Sequence, residues 1–435
     1  MPELRPAARI CCLDLDTFFV SVERLLDPSL EGLPVVVGAR PGQRGVVTAA
    51  SYEVRAFGVR SGMSMTEAVK LAPHAVFLPT RHGVYSPYAA RVKAVLERFC
   101  PEVQTASIDE FFLDFRGCER VYSRPSDAGG DAAILRAVRQ MRQAVQDEVG
   151  LPASAGLGGT RVVAKMASRD AKPAGVFLVP IGRELDFVWN LSVRALPGIG
   201  PSGEQRLVGA GIRTLGELLD LPPGPLRARF GSQSAGVRHR LLAPHRLGRD
   251  RPAFSEHDPV GGTVGTISNE STFWADVSQV DRVEKRLRAL SERVCWRARR
   301  RGVRARTITL KLRRDDFHTI SRARTLPPTD EERVVGDAIV DLFRANWDRR
   351  AVRLVGVQLS NLVGEDTQLA LPLPAGGAPP VGPAIDAIRE RFGYDAIRLG
   401  AVVTLSPPVA AEPDGPRAGT GGPAGGRHQR RPHPG

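Results

Sequence analysis

Ser107-Ile108-Asp109-Glu110-Phe111-Phe112-Leu113 sets two carboxylates side by side between apolar, extended segments. None of the residues from Val103 to Phe115 is basic, so no flanking ion pair accounts for the acids. Adjacent carboxylates repel and resist desolvation unless strong positive charge sits between them. Oxygen donors alone select a hard divalent cation such as Mg²⁺.

Working outward, Asp14-Leu15-Asp16 supplies a second acidic pair. Arg9 to Leu15 alternates as a strand does, with Asp14 and Asp16 on one face and Leu13 and Leu15 on the other. Thr17 is placed to cap a helix through Phe18, Phe19, Val22 and Glu23. A carboxylate at a strand end, facing a hairpin that carries two more, holds two metals about 3.5–4 Å apart for phosphoryl transfer. The alternative makes Asp14 and Asp16 turn-flanking residues and Asp109-Glu110 a polar hairpin tip.

At 435 residues the chain exceeds one ordinary core and should hold three or four domains. No apolar run reaches membrane-spanning length, and Met1 to Arg9 lacks a signal-peptide core. Cysteines at 11, 12, 100, 118 and 295 form an odd set without metal spacing, as expected of a reducing cytoplasm. The formal charge of +14 points to a polyanion partner. Between Asp281 and Thr325 sixteen Lys or Arg stand against five Asp or Glu. Lysine occurs only at 70, 93, 165, 172, 285 and 311, which singles out the two near position 170. A compact ammonium is not interchangeable with a guanidinium where phosphate oxygens are met by a point charge.

Strands and helices alternate up to about residue 188. Strands are expected at Val35 to Val37, Gly45 to Ala50, Ala75 to Leu78 and Ala153 to Leu157, and helices at Ser64 to Leu71, Thr160 to Ser168 and Ala132 to Glu148. Tyr88, Val92, Val95 and Phe99 line a helix from Tyr85 to Phe99. The pattern is α+β, with helices on one face of a sheet. Leu196-Pro197-Gly198-Ile199-Gly200, then Gly211 to Leu218, describes a helix-hairpin-helix whose free N–H groups suit a DNA phosphate. A further α+β unit follows, with a strand at Gly262 to Glu270, helices at Val277 to Arg301 and Glu331 to Asn346, a strand pair at Arg306 to Arg313 and His318 to Thr325, and a last strand at Val352 to Leu362. Arg304, Arg306, Lys311, Arg313, Arg322 and Arg324 decorate that sheet and its edges, offering one face to phosphates.

Over residues 9 to 405 the chain resembles Y-family translesion DNA polymerases of the bacterial DNA polymerase IV type. Asp14 to Glu23 is similar to the family's first catalytic motif, and Tyr52-Glu53-Val54-Arg55-Ala56-Phe57-Gly58-Val59-Arg60 to its finger segment. Ser107 to Glu110 resembles its second acidic motif, and Ala164 to Ser168 with Lys172-Pro173 its Lys-Pro segment. The resemblance implies a right-hand polymerase: a ferredoxin-like palm (1–29 and 85–188), small fingers (30–84), a helix-hairpin-helix thumb (189–246) and an α+β little finger (252–364). A linker (365–382) and a short helix with a Pro/Gly/Arg-rich tail (383–435) would follow. It implies two Mg²⁺ on Asp14, Asp109, Glu110 and the Leu15 carbonyl, with these three acids catalytic. Tyr52, Arg55, Lys172 and the Phe18-Phe19 pair would bind the dNTP, Phe19 as steric gate against a 2′-hydroxyl. Gly198, Gly200, Arg306, Lys311, Arg313, Arg322 and Arg324 would hold primer-template DNA.

Two positions depart from the family pattern. Ala49 stands three before Tyr52, where a hydroxyl residue is usual, and Ser168-Arg169-Asp170 replaces Ser-Asp. Gln368-Leu369-Ala370-Leu371-Pro372-Leu373 resembles a sliding-clamp peptide, with Gln368, Leu371 and Leu373 as its anchors. The expected protein is a monomeric, cytoplasmic, low-fidelity DNA polymerase with no membrane contact. The rival is a non-catalytic Y-family scaffold that binds DNA and the clamp, recognised by loss of the metal carboxylates. A nucleotidyl cyclase-like enzyme on the same palm would need neither thumb hairpin nor basic domain.

Overall fold

The computed structural model describes residues 9–222, 224, 265–364, 382–398 and 400. The chain divides into two compact units, Met1–Val264 and Gly265–Gly435.

The first unit is built on a five-stranded sheet of order β5-β6-β1-β7-β8. Its strands are β1 (Ile10–Leu15), β5 (Val103–Thr105), β6 (Glu110–Asp114), β7 (Ala153–Gly158) and β8 (Val176–Leu178). Only the β7–β8 pairing is parallel. β1 is central and buried except at Asp14, because both its faces are covered. Cys11, Leu13 and Leu15 join the main core with Ile134, Val138, Met141 and Val145 of α6 (Gly130–Val149) and Val92 of α4 (His82–Leu96). Spacings of four, three and four in the α6 set put them on one face of that helix.

The opposite face departs from the one-sided expectation. Ile10, Cys12 and Phe112 pack there against Ala164 of α7 (Arg161–Asp170), which Thr160 caps by accepting from Val163 N–H. The physical reason is Gly156, the register partner of Cys12 on β7. A Cβ at that position would lie 2.1 Å from Ser168 N and 2.2 Å from the Ala164 carbonyl oxygen. A bare backbone there lets α7 lie directly on the strand.

A three-stranded sheet of order β3-β2-β4 comprises β2 (Val35–Gly38), β3 (Val47–Ala50) and β4 (Val76–Pro79). With α3 (Met65–Leu71) it encloses a separate core around Val36, Val54, Met65 and Ala68. α1 (Phe18–Leu26) follows β1, and α2 (Tyr52–Arg55) follows β3. Thr17 occupies the N-cap position of α1 but does not cap it. Its backbone is left-handed (φ 45°) and its hydroxyl turns to Ser21 instead. The helix predicted from Tyr85 begins at His82, so Tyr85 rather than Tyr88 becomes its fully buried ring.

α5 (Glu119–Tyr122) and α8 (Glu184–Trp189) are short. α9 (Pro201–Val208) and α10 (Leu215–Asp220) form a small core with Val163 and Met166 of α7. Gly198 (φ 97°) and Gly200 precede α9, but the element before them is a single 3₁₀ turn, Val193–Ala195, rather than a full helix. Gly211 (φ 85°) instead lies between the two helices, and a Thr214–Glu217 capping box starts the second.

The second unit has an antiparallel sheet of order β11-β10-β12-β9. β9 is Thr266–Val277, β10 Val303–Arg314, β11 Thr319–Thr329 and β12 Val352–Gly364. α11 (Val280–Arg299) and α12 (Glu332–Asn346) cover one face, burying Leu287, Val294, Ile339 and Phe343 against Ile308, Leu310, Val355 and Leu359. Alternation from Thr307 to Arg313 of β10 leaves its other face polar. Pro327 and Pro328 fall in β11, an edge strand, where missing N–H donors are tolerated. α13 (Gly382–Phe392) docks by charge: Arg389 pairs with Glu292 and Glu332, and Asp386 with Arg299.

Candidate active site

Register alone brings the acids together. Asp14 and Glu110 are direct cross-strand partners on β1 and β6, and such pairs hold Cβ atoms about 4.5–5.5 Å apart. The Asp109 carbonyl accepts from Leu15 N–H at 2.9 Å, fixing the hairpin end to the strand end. Two ammonium groups meet the carboxylates: Lys165 of α7 bonds Glu110, and Lys172 bonds Asp14. Lys172 also lies 3.5 Å from Asp16. Asp109 accepts from the Ser107 hydroxyl. Behind Glu110, the Cys12 thiol lies 3.8 Å away, its pKa driven upward by burial and then by Glu110. Burial also pushes the Asp14 carboxyl above its ordinary value, against the opposing pull of Lys172. For Lys165 burial pulls downward, but Glu110 outweighs it and holds the ammonium above its usual value.

Asp16 shares the face expected of it but has a different occupation. It is 1% exposed and accepts from Ser154 Oγ (2.8 Å), Ala174 N–H (2.8 Å) and Tyr52 OH (3.2 Å). Those bonds tie β1, β7, the Lys172 segment and α2 to one buried carboxylate. The Tyr52 hydroxyl thereby reaches the acidic cluster, and Arg55 lies 4.8 Å over the Tyr52 ring. At the departure from the family pattern, Ala49 is buried, and the neighbouring Thr48 hydroxyl bonds the Val37 carbonyl and Thr80.

The phenylalanine pair divides. Phe18 is 3% exposed, and its ring packs in the core. Phe19 is half-buried and stacks on Tyr85 at 4.1 Å and 15°. The Tyr85 hydroxyl donates to the buried Glu23 carboxylate at 2.7 Å, and burial followed by this contact pushes its pKa up to about 12. Neither Tyr85 nor Ser154 has a role legible in the sequence, and the pairing of Lys165 with Glu110 is not legible there either. Only Lys165 carried a signal, the rarity of lysine in this chain.

The donor set suits a hard divalent cation, since every ligand is oxygen and the cluster already recruits positive charge. Among the described residues no three metal-type side chains yet converge on one point, because each acid is held by its own lysine or hydroxyl.

On the second unit the register splits the basic set. Lys311 and Arg313 lie on the polar face, opposite Ser321 and Thr319. Lys311 pairs with Glu270 across Gly356, where a Cβ would sit 2.9 Å from the Glu270 side chain. Arg322 and Arg324 oppose Leu310 and Ile308, so they point to the helix side and bond Asn346 and Asp341 of α12. They do not share the face of Lys311, contrary to the single-face expectation. Arg306 is exposed at the β10 irregularity between Ala305 and Thr307. Gln368, Leu371 and Leu373 lie outside the described residues.

A mixed sheet with an acidic strand end, followed by a four-stranded antiparallel unit, defines a right-hand polymerase of the Y-family class. The fold is similar to the Y-family DNA polymerase chimera Dbh-Dpo4(243-245)-Dbh (TM-score 0.69, 23% identity, 82% of this chain and 99% of that one). It is also similar to DinB from Sulfolobus solfataricus (TM-score 0.54, 23% identity, the same coverage). Residues 13–169 match the impB/mucB/samB family model and residues 265–371 the model of its C-terminal domain. The chain is 33% identical over 400 residues to DNA polymerase IV of Dehalococcoides mccartyi strain CBDB1, covering 91% of this chain and 98% of the relative. It is 38% identical over 359 residues to DNA polymerase IV of Moorella thermoacetica, covering 81% and 86%. The protein belongs to the impB/mucB/samB family and is a Y-family, DNA-directed DNA polymerase of the DNA polymerase IV type, acting in translesion synthesis. That identity implies a divalent metal.

Proposed function

We propose that Asp14, Asp109, Glu110 and the Leu15 carbonyl hold two Mg²⁺ and add a dNTP to a primer 3′-hydroxyl on template DNA. The observation that carries this reading is the direct β1–β6 pairing of Asp14 with Glu110, with Asp109 tied to Leu15. When bound, the ions lower the pKa of the attacking hydroxyl and neutralise the leaving pyrophosphate.

The chain's own groups bind and orient. Lys172 and Tyr52, already at the acidic cluster, meet the β- and γ-phosphates together with Arg55. Asp16 keeps the Tyr52 and Lys172 segments in place through its buried bonds. The Phe19 ring, backed by Tyr85, closes the space a 2′-hydroxyl would need. β1 and the five-stranded sheet form the palm (1–29 and 85–188), and the three-stranded unit forms the fingers (30–84). Residues 189–246 form the thumb, with Gly198 and Gly200 placing N–H groups against phosphate. The four-stranded unit within 252–364 is the little finger, whose polar face with Lys311 and Arg313 meets the DNA backbone, and Arg306 extends that contact. Arg322 and Arg324 contribute from the edge.

Gln368, Leu371 and Leu373 dock on the sliding clamp. The protein works as a cytoplasmic monomer, and no described helix is long and apolar enough to cross a membrane. Primer extension on an undamaged template tests the reading. Extension that needs Mg²⁺ and stops on chelation supports it, whereas DNA binding without any nucleotide addition would favour the scaffold.

A further inference from the structure

α11 segregates its charges. Successive helical residues turn by about 100°, so Arg282, Arg286, Arg293, Arg297 and Arg300 fall along one flank, while Asp281, Glu284 and Glu292 fall on the other. On the acidic flank the pairs close internally: Glu284 with Arg344, Glu292 with Arg389, Arg288 with Asp337 and Arg299 with Glu332 and Asp386. On the arginine flank none of the five makes an ion pair among the described residues.

The flank is also costly as it stands. Arg286 Nε is buried with no acceptor among the described residues. Burial, then Arg398 and Arg282, lower the Arg286 pKa. Burial, then Arg301 and Arg293, do the same to Arg297. Two of the guanidinium planes are nevertheless pre-oriented on rings: Arg293 over Tyr394 at 4.8 Å and Arg300 over Trp296 at 5.1 Å. Arg297 is tied to the Ser268 carbonyl at 2.8 Å. Partly ordered, unpaired guanidinium groups lose little freedom when an anion arrives.

We propose that this flank of α11 is a second nucleic-acid site, taking the phosphate backbone of single-stranded DNA on the helix side of the C-terminal unit. The 19 residues from Arg282 to Arg300 span about 27 Å, long enough to follow several consecutive phosphates. The row is straight. A duplex backbone winds away from such a line after a few phosphates, whereas a flexible single strand follows it. The partner is a polyanion because all three acids of the helix lie on the other flank. This site lies opposite the polar sheet face of Lys311 and Arg313, and its test reads binding, not synthesis.

The test uses full-length protein and compares wild type with Arg286→Gln/Arg293→Gln/Arg297→Gln. Anisotropy of a labelled oligo-dT is followed across a NaCl series, with a blunt duplex and a labelled poly-glutamate peptide as parallel arms. The expected result is a log K against log salt slope lower by about 2 for oligo-dT, from three phosphate contacts at about 0.7 each. Duplex binding and primer extension stay unchanged. If the triple variant loses its folded circular dichroism signal, Arg293→Gln/Arg297→Gln serves, with a slope lower by about 1.4. An unchanged oligo-dT slope, an equal loss on duplex, or a loss confined to the peptide would overturn the proposal.

Discussion

On the five-stranded sheet, Glu110 and Asp14 meet two lysines delivered by α7 and the segment after it, and Asp109 accepts from a serine hydroxyl. On the four-stranded sheet, Lys311 meets one glutamate across a glycine, and hydroxyl side chains such as Thr309 and Ser321 share its face. The first sheet is covered on both faces and gathers its charge at a strand end, whereas the second leaves a polar face open. At the acidic strand end Lys165 and Lys172 hold Glu110 and Asp14, and under the proposed two-metal reading those bonds would be exchanged when metal and triphosphate bind. On the basic sheet Lys311 has such a partner to give up, the Glu270 carboxylate, and under the proposed reading it would exchange that carboxylate for a phosphate. Chemistry concentrates where charge is gathered, and grip is spread where a face is left open.

Breaking the acidic side should have the largest effect. Asp14→Ala or Asp109→Ala should lower single-turnover nucleotide addition by at least about 10³-fold, since metal ligation supplies several kcal/mol to the transition state. Primer-template affinity, measured by anisotropy, should stay close to wild type. Phe19→Ala should come next, reducing discrimination against ribonucleotides by at least about tenfold in kcat/KM while deoxynucleotide use persists. An unaltered ratio would return Phe19 to the core.

Gly156→Ala sharpens the comparison through stability. Its Cβ meets the α7 backbone at 2.1 Å, so overpacking should cost about 1–3 kcal/mol, seen as a lower Tm and a matching loss of synthesis. The smallest effect belongs to the basic side. Lys311→Gln should lower the DNA-binding salt slope by about 0.9 and leave the turnover rate alone. Replacing Gln368, Leu371 and Leu373 by alanine should leave distributive synthesis and Tm unchanged and remove stimulation by the clamp. Stimulation of the triple variant to the wild-type level would place the docking site elsewhere.

The acidic strand end was legible because Asp14 and Asp109-Glu110 each break an apolar extended run, while the Asp14–Glu110 register is set by the pairing of the strands. The helix α6 was legible for the same kind of reason, through Ile134, Val138, Met141 and Val145. What escaped depends on contacts between distant segments. Nothing local says that Gly156 admits a helix to the second sheet face, or that Asp16 gathers Ser154, Ala174 and Tyr52. Arg322 and Arg324 alternate correctly, but their face is set by pairing with β10, and one residue of register decides it. Thr17 looks like a cap in sequence and takes a left-handed conformation instead.

Counting bound Mn²⁺ by electron paramagnetic resonance tests most directly whether these carboxylates hold two metals. With primer-template and a non-hydrolysable dNTP analogue, the wild type should bind two ions per protein, and Asp14→Asn or Asp109→Asn fewer. A count of two that survives both substitutions would contradict the account.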